Sequence, residues 1–143
     1  MEQSPILLPV AVLVAWSIVM MLWMVVTRFA AFRARGISLK GAVGGRPGMF
    51  DGMVDDRAQW KAHNYIHLME QPTLFYAIAL TLALIGEGDG LNETLAWAYV
   101  ALRVVHSFIQ ATVNIILYRF LVFTLASLAL IGLTVNALLA LTG

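Results

Sequence analysis

The sequence predicts an all-α integral membrane protein built as a bundle of four helices. Of its 143 residues, 61% are hydrophobic and only 12% are charged, which is too little charge for the surface of a soluble domain. Four apolar runs are each long enough to cross a hydrocarbon core about 30 Å thick. They cover residues 5–29, 60–85, 91–116 and 119–141, so we expect residues 1–143 to form a single membrane domain.

The placement of the positive charges predicts the orientation of this bundle. Six of the nine lysines and arginines lie between residues 28 and 57, and Arg119 lies at the turn between the last two helices, on the same side. The opposite side carries the acidic turn GEGDGLNE, residues 86–93. Positive residues favour the cytoplasmic side. We therefore expect a multi-pass protein of the inner (cell) membrane, with the loop 30–59 in the cytoplasm and both termini outside.

Composition narrows the range of partners. The chain has no cysteine, which excludes disulfides and iron–sulfur clusters, and its formal net charge of +1 argues against nucleic acid. Membrane lipid is the expected partner. Arg28 and Arg33, where the first run ends, fit either of two roles: anchoring to anionic lipid, or attraction of an anionic substrate. The glycine-rich segment 41–52 is predicted to be a linker.

Polar side chains interrupt the second apolar run at helical spacing. His63, His67 and Glu70 are four and three residues apart, so they share one face of a helix. Glu70 lies about 15 Å along the axis from the start of the run, near the middle of the membrane. Pro72 cannot donate a helical hydrogen bond, and we expect it to kink the helix beside Glu70.

The third apolar run carries a second polar stripe. Tyr99, Arg103, His106, Gln110 and Asn114 follow one another at intervals of three or four residues and also share one face. In an antiparallel pair of helices, residues at equal depth have indices with a constant sum. One register gives the pairs Glu70 with Arg103, His67 with His106, and His63 with Gln110.

Charged groups at this depth are expected to face the bundle interior and to find partners. The predicted Glu70–Arg103 ion pair fits two interpretations: it fixes the register of two helices, or it belongs to a polar cavity between them. A third interpretation makes His63, His67, Glu70 and His106 metal ligands. Arg103 beside Glu70 would oppose a cation, so no metal is expected.

The two polar stretches together resemble the MAPEG family, the membrane-associated proteins of eicosanoid and glutathione metabolism. They are KAHNYIHLMEQPTLFYAIALTLAL (residues 61–84) and AWAYVALRVVHSFIQATVNIILYRF (residues 96–120). The resemblance implies a homotrimeric four-helix bundle with glutathione bound between neighbouring subunits near the cytoplasmic half. It also implies conjugation or isomerisation of a lipophilic small molecule by the glutathione thiolate.

The family motif of the second helix is matched at its glutamate only. Glu70 stands at that position, whereas His63 and His67 stand where the motif has arginine and asparagine. In the third helix Arg103 and His106 match the family pattern.

Two tyrosines of the family pattern are replaced. Gln110 stands at the position of a tyrosine that contacts glutathione. Arg119 falls on the arginine that stabilises the thiolate, and Phe123 on the tyrosine four residues later. These replacements place the chain among divergent bacterial-type members.

The leading hypothesis is a glutathione-dependent transferase acting on lipophilic electrophiles, with Arg119 stabilising the thiolate. The expected ligand-binding residues are Glu70, Arg103, His67, His106, His63, Gln110, Arg28 and Arg33. The first alternative is a non-catalytic lipid-binding or scaffold protein of the same fold. The second is a histidine metal or haem site.

Overall fold

The computed structural model describes residues 3–46 and 48–143, and the regular structure in them is entirely α-helical. This confirms the all-α prediction. These described residues form five helices, because the second predicted helix is divided in two. They are α1 (Leu7–Ala34), α2 (Asp56–Leu68), α3 (Gln71–Leu84), α4 (Gly90–Thr112) and α5 (Ile116–Thr142).

Helix α1 continues past residue 29, the predicted end of the membrane span, and ends where glycine permits a left-handed turn. Gly36 has φ +65°, which residues other than glycine rarely adopt. The amide of Ile37 donates to the carbonyl of Phe32 at 2.9 Å, and the amide of Gly36 donates to Arg33 at 3.3 Å. These two bonds form a Schellman cap that satisfies the last carbonyls of the helix.

The break between α2 and α3 lies next to Pro72. Helix α2 starts at an N-cap in which the Asp55 carboxylate accepts from the Arg57 amide at 3.2 Å. It ends at Leu68, and α3 begins at Gln71 with Pro72 in its first turn, where the missing N–H costs nothing. The predicted kink is therefore confirmed, in the stronger form of a complete helix break at Met69 and Glu70.

Helices α4 and α5 form the most extensive pair in the bundle. Small side chains of α5, among them Ala126 and Ala129, are buried here, and small residues let membrane helices approach closely. Asn136 also donates to the side chain of Asn92 on α4 at 2.7 Å, a polar link across the interface. The end of α4 at Thr112, instead of residue 116, leaves a short irregular link before α5.

Different segments of the chain lie at the two ends of the bundle. At one end the N-terminal segment packs on the α3–α4 turn, where the Ile6 amide donates to the Gly88 carbonyl at 3.0 Å. At the other end lie the long loop between α1 and α2 and the link between α4 and α5. The positively charged segments therefore share one end, as the charge pattern predicted.

Two of the described helices, α1 and α5, are long and apolar enough to cross a membrane. Large hydrophobic side chains such as Leu8, Val26 and Phe120 are more than 60% exposed on them, as expected for surfaces in contact with lipid. Helices α2 and α3 contain 13 and 14 residues, so each alone is shorter than the hydrocarbon core. The remaining two crossings stay a prediction.

Candidate functional site

The break between α2 and α3 releases a backbone carbonyl into the bundle interior. Arg103, which is fully buried on α4, donates from Nη2 to the carbonyl oxygen of His67 at 3.1 Å. The same carbonyl accepts a hydrogen bond from the Glu70 amide at 3.3 Å. Arg103 therefore adds a second hydrogen bond to a carbonyl at the end of α2, where the helix is interrupted.

Glu70 is hydrogen-bonded to His67 and does not pair with Arg103. Its Oε2 lies 2.7 Å from Nδ1 of His67, and the Glu70 side chain is 61% exposed. Glu70 is the N-cap of α3, with φ −88° and ψ −100°, and this backbone conformation turns its carboxylate away from the core. The predicted Glu70–Arg103 pair is therefore wrong, because a continuous helix was assumed through the break.

The predicted meeting of His67 with His106 is confirmed. Their rings lie 4.8 Å apart between centroids, and the ring of Phe123 on α5 lies 5.6 Å from His67 and 6.4 Å from His106. The guanidinium carbon of Arg103 is 6.0 Å from the centre of the Phe123 ring. Three helices thus bring two imidazoles and one aromatic ring together beside a buried cation.

A cleft of about 360 Å³ opens beside these rings. We call it the His–Arg cleft; its lining residues are His67, His106, Ile116, Arg119, Phe120 and Phe123. It is mostly apolar, and its polar groups are the two imidazoles and one guanidinium.

Arg119 is fixed at the edge of this cleft by Asn114. Nη1 of Arg119 donates to Oδ1 of Asn114 at 2.8 Å. Asn114 follows the end of α4 with φ +52°, a left-handed conformation that asparagine tolerates better than most residues. Nε of Arg119 is buried and has no hydrogen-bond partner in the described chain.

The other predicted ligand residues are not brought to the His–Arg cleft. His63 and Arg28 line a different groove, under the loop between α1 and α2. Arg33 lies in the last turn of α1. Gln110 is buried and its Oε1 has no hydrogen-bond partner in the described chain, so the predicted pair with His63 forms no hydrogen bond through this atom.

The sequence analysis missed a polar relay that ties α3, α4 and α5 together. The hydroxyl of Tyr99 donates to Oε1 of Gln71 at 3.2 Å, and Nε2 of Gln71 donates to Ser127 at 2.8 Å. Gln71 lies directly before Pro72, where a helix start was recognisable from the proline. It also missed Asn64, which is completely buried with both polar atoms of its side chain unpartnered in the described chain.

No group of three His, Asp or Glu side chains in the described chain is placed to hold a metal ion. His63 is separated from His67 because the two line different surfaces of the bundle. The metal alternative therefore has no set of three donors in the described residues.

Comparison with known proteins gives one match. A family model described as the MAPEG family matches residues 6–139, nearly the whole chain. No curated protein and no solved structure matches the chain.

Proposed function

The chain belongs to the MAPEG family, and from this premise we propose that it is a glutathione-dependent transferase acting on lipophilic electrophiles. The observation that carries the proposal is the His–Arg cleft, in which Arg119 and two histidines face one apolar space. In this cleft Arg119 can stabilise a thiolate, a histidine can act as the base, and the apolar walls can hold a hydrophobic substrate.

Arg119 is suited to stabilise a thiolate. A guanidinium stays protonated at all physiological pH values, and a nearby cation favours the ionised form of a thiol. Asn114 occupies one hydrogen of Nη1, and the guanidinium has five N–H donors, so others remain for a sulfur or a carboxylate. The side chain is therefore held in place and still has hydrogen-bonding capacity.

His67 is suited to remove the thiol proton. The Glu70 carboxylate accepts the hydrogen bond from Nδ1–H of His67, which selects the tautomer with a free lone pair on Nε2. A carboxylate that orients an imidazole in this way is a common arrangement for a general base. The predicted role of Glu70 was a structural ion pair with Arg103. In this proposal its role is instead chemical, because it orients the imidazole of His67.

The reaction then follows from these positions. Nε2 of His67 takes the proton of the glutathione thiol, and Arg119 stabilises the resulting thiolate. The sulfur lone pair forms a bond to the electrophilic carbon, and the bond from that carbon to its leaving group breaks. The leaving group departs with the electron pair and receives the proton from the imidazolium.

The walls of the cleft favour a lipophilic second substrate. Ile116, Phe120 and Phe123 present apolar surface beside the reacting groups, and Phe120 is 63% exposed toward the outside of the bundle. A substrate dissolved in the membrane would reach the cleft from this side without crossing water.

We further propose that the protein is a homotrimer in the inner membrane, with the loop 30–59 in the cytoplasm. On the single chain the His–Arg cleft opens at the surface that faces away from the bundle core, and a neighbouring subunit would cover this opening. Glutathione has two carboxylates, so an arginine from a neighbouring α1, such as Arg33, would complement Arg119.

Calorimetry with purified full-length protein tests the proposal. We expect saturable glutathione binding, and conjugation to a model electrophile that falls by about 10²-fold in Arg119→Ala. Arg35→Ala is the matched control, since Arg35 is exposed and lies outside the cleft. Absence of glutathione binding, or an unchanged rate in Arg119→Ala, would contradict the proposal.

One observation favours a second candidate, a non-catalytic lipid-binding protein of the same fold. Phe123 places a phenyl ring without a hydroxyl at the centre of the cleft, where the family pattern has tyrosine. Lipid retained in the purified protein, together with failure to bind glutathione, would select this candidate.

A further inference from the structure

The loop between α1 and α2 encloses a second groove, separate from the His–Arg cleft. We call it the loop groove; its volume is about 430 Å³. Its charged side is formed by Arg28, Arg46 and His63, and its apolar side includes Met49, Phe50 and Ile66. No residue lines both this groove and the His–Arg cleft.

The groove is built by specific contacts, although the glycine-rich segment was predicted to be a linker. The rings of Phe32 and Phe50 lie 4.6 Å apart, and Phe32 is 5% exposed. Gly48 has φ +75°, and a Cβ there would come within 3.0 Å of the Asp51 carboxylate. Glycine is therefore required for the turn that closes the groove.

The cations of the groove have no acidic partner in the described chain. The one close contact between a basic and an acidic side chain in the described residues joins His67 to Glu70, which lie outside this groove. Asp51, the acidic residue that lines the groove, accepts a hydrogen bond from Nε2 of Gln59 at 3.2 Å. Two guanidinium groups, Arg28 and Arg46, thus face a space that holds one carboxylate, and neither forms an ion pair with it.

The depth of the groove matches that of a lipid headgroup. Arg28 lies 21 residues beyond Leu7, the first residue of α1, which is about 30 Å along the helix axis. This equals the thickness of the hydrocarbon core, so the guanidinium reaches the layer of lipid phosphates. Ile66 lies one turn nearer the helix break than His63 and extends the apolar side toward the acyl chains.

We propose that the loop groove binds the phosphate group of an anionic membrane lipid. Arg28 and Arg46 would form charge-assisted hydrogen bonds to its oxygens, and a ring N–H of His63 would add a third hydrogen bond. The phosphate stays within one subunit, away from the thiol chemistry. The site does not depend on the proposed transferase activity.

Native mass spectrometry of the full-length protein in detergent micelles tests this proposal, with phosphatidic acid as the probe. We expect one bound lipid per chain, and an apparent Kd at least tenfold higher in the double variant Arg28→Gln with Arg46→Gln. The matched control is Arg35→Gln with Lys40→Gln, which removes the same charge from exposed positions outside the groove. Its Kd should stay within twofold of the wild-type value.

A titration with inorganic phosphate distinguishes the source of the ligand. If inorganic phosphate fails to compete with phosphatidic acid, the membrane lipid is the ligand. If it competes, and its affinity falls in the same double variant, the groove is a phosphate site that also accepts the free ion. Both results support the phosphate chemistry.

Equal Kd values for the double variant and its control would overturn the proposal. The single variant Arg46→Gln controls for misfolding of the double variant. Arg46 is an exposed loop residue, so its replacement leaves the helices intact. We expect this single variant to raise the Kd at least threefold, and an unchanged value would also count against the site. Glutathione binding in the same samples reports separately on the His–Arg cleft.

Discussion

Arg103 binds the backbone carbonyl of His67, and Glu70 binds the side chain of the same histidine. The two bonds, of 3.1 and 2.7 Å, both end on His67, in the last turn of α2. The buried guanidinium of Arg103 therefore stabilises the end of α2. The exposed carboxylate of Glu70 orients the imidazole of His67 in the His–Arg cleft.

The first prediction concerns the stability contributed by Arg103. Arg103→Ala should lower the free energy of unfolding by about 2–5 kcal/mol, because it leaves a cavity and removes one of the two hydrogen bonds to the His67 carbonyl. Arg103→Met should cost much less, since it fills the volume and removes a buried charge that has no carboxylate partner. Reversible denaturation in mixed detergent micelles measures both. A loss in Arg103→Met as large as in Arg103→Ala would show that the charge itself is stabilising.

The second prediction separates the chemical role of Glu70 from a structural one. Glu70→Ala should change stability by no more than about 1 kcal/mol, since exposed ion pairs contribute little. It should lower the conjugation rate about tenfold, because His67 loses the group that fixes its tautomer. The pH profile of the rate should change as well. A rate equal to that of wild type would remove Glu70 from the proposed mechanism.

The sequence predicted the burial and contacts of several site residues correctly, but not the contact of Glu70. Helical periodicity placed Arg103 and His106 on one buried face correctly, and the antiparallel register found the contact of His67 with His106. The same register failed at Glu70, because the two dihedral angles at the break, and not the helix period, set its direction. Pro72 predicted a distortion there but carries no information about which way the next side chain turns.

Helical periodicity also failed to predict the left-handed backbone at Asn114, because it placed this residue inside a helix. This backbone conformation is a local property of the α4–α5 link, and it brings Oδ1 to Arg119. The same limit applies to the loop groove, because composition describes a glycine-rich segment but not the packing of Phe50 on Phe32.

The third prediction tests Asn114 as a positioning residue for Arg119. Asn114→Gly keeps the left-handed conformation without strain and removes the hydrogen bond to Arg119. Asn114→Ala removes the same bond and adds backbone strain of about 1 kcal/mol. Both should lower the conjugation rate by roughly tenfold, and only Asn114→Ala should also lower the melting temperature. Normal activity in Asn114→Gly would show that Arg119 needs no such support.

The last prediction concerns the orientation of the chain in the membrane. The loop and the α4–α5 link form one end of the bundle, and the N-terminal segment packs on the α3–α4 turn at the other end. With the positive residues in the cytoplasm, a reporter fused after Gly143 should be active only outside the cytoplasm. A reporter inserted at Gly41, in the loop, should be active only inside it. A cytoplasmic C-terminus would reverse the topology and place Arg28 and the loop groove at the outer leaflet.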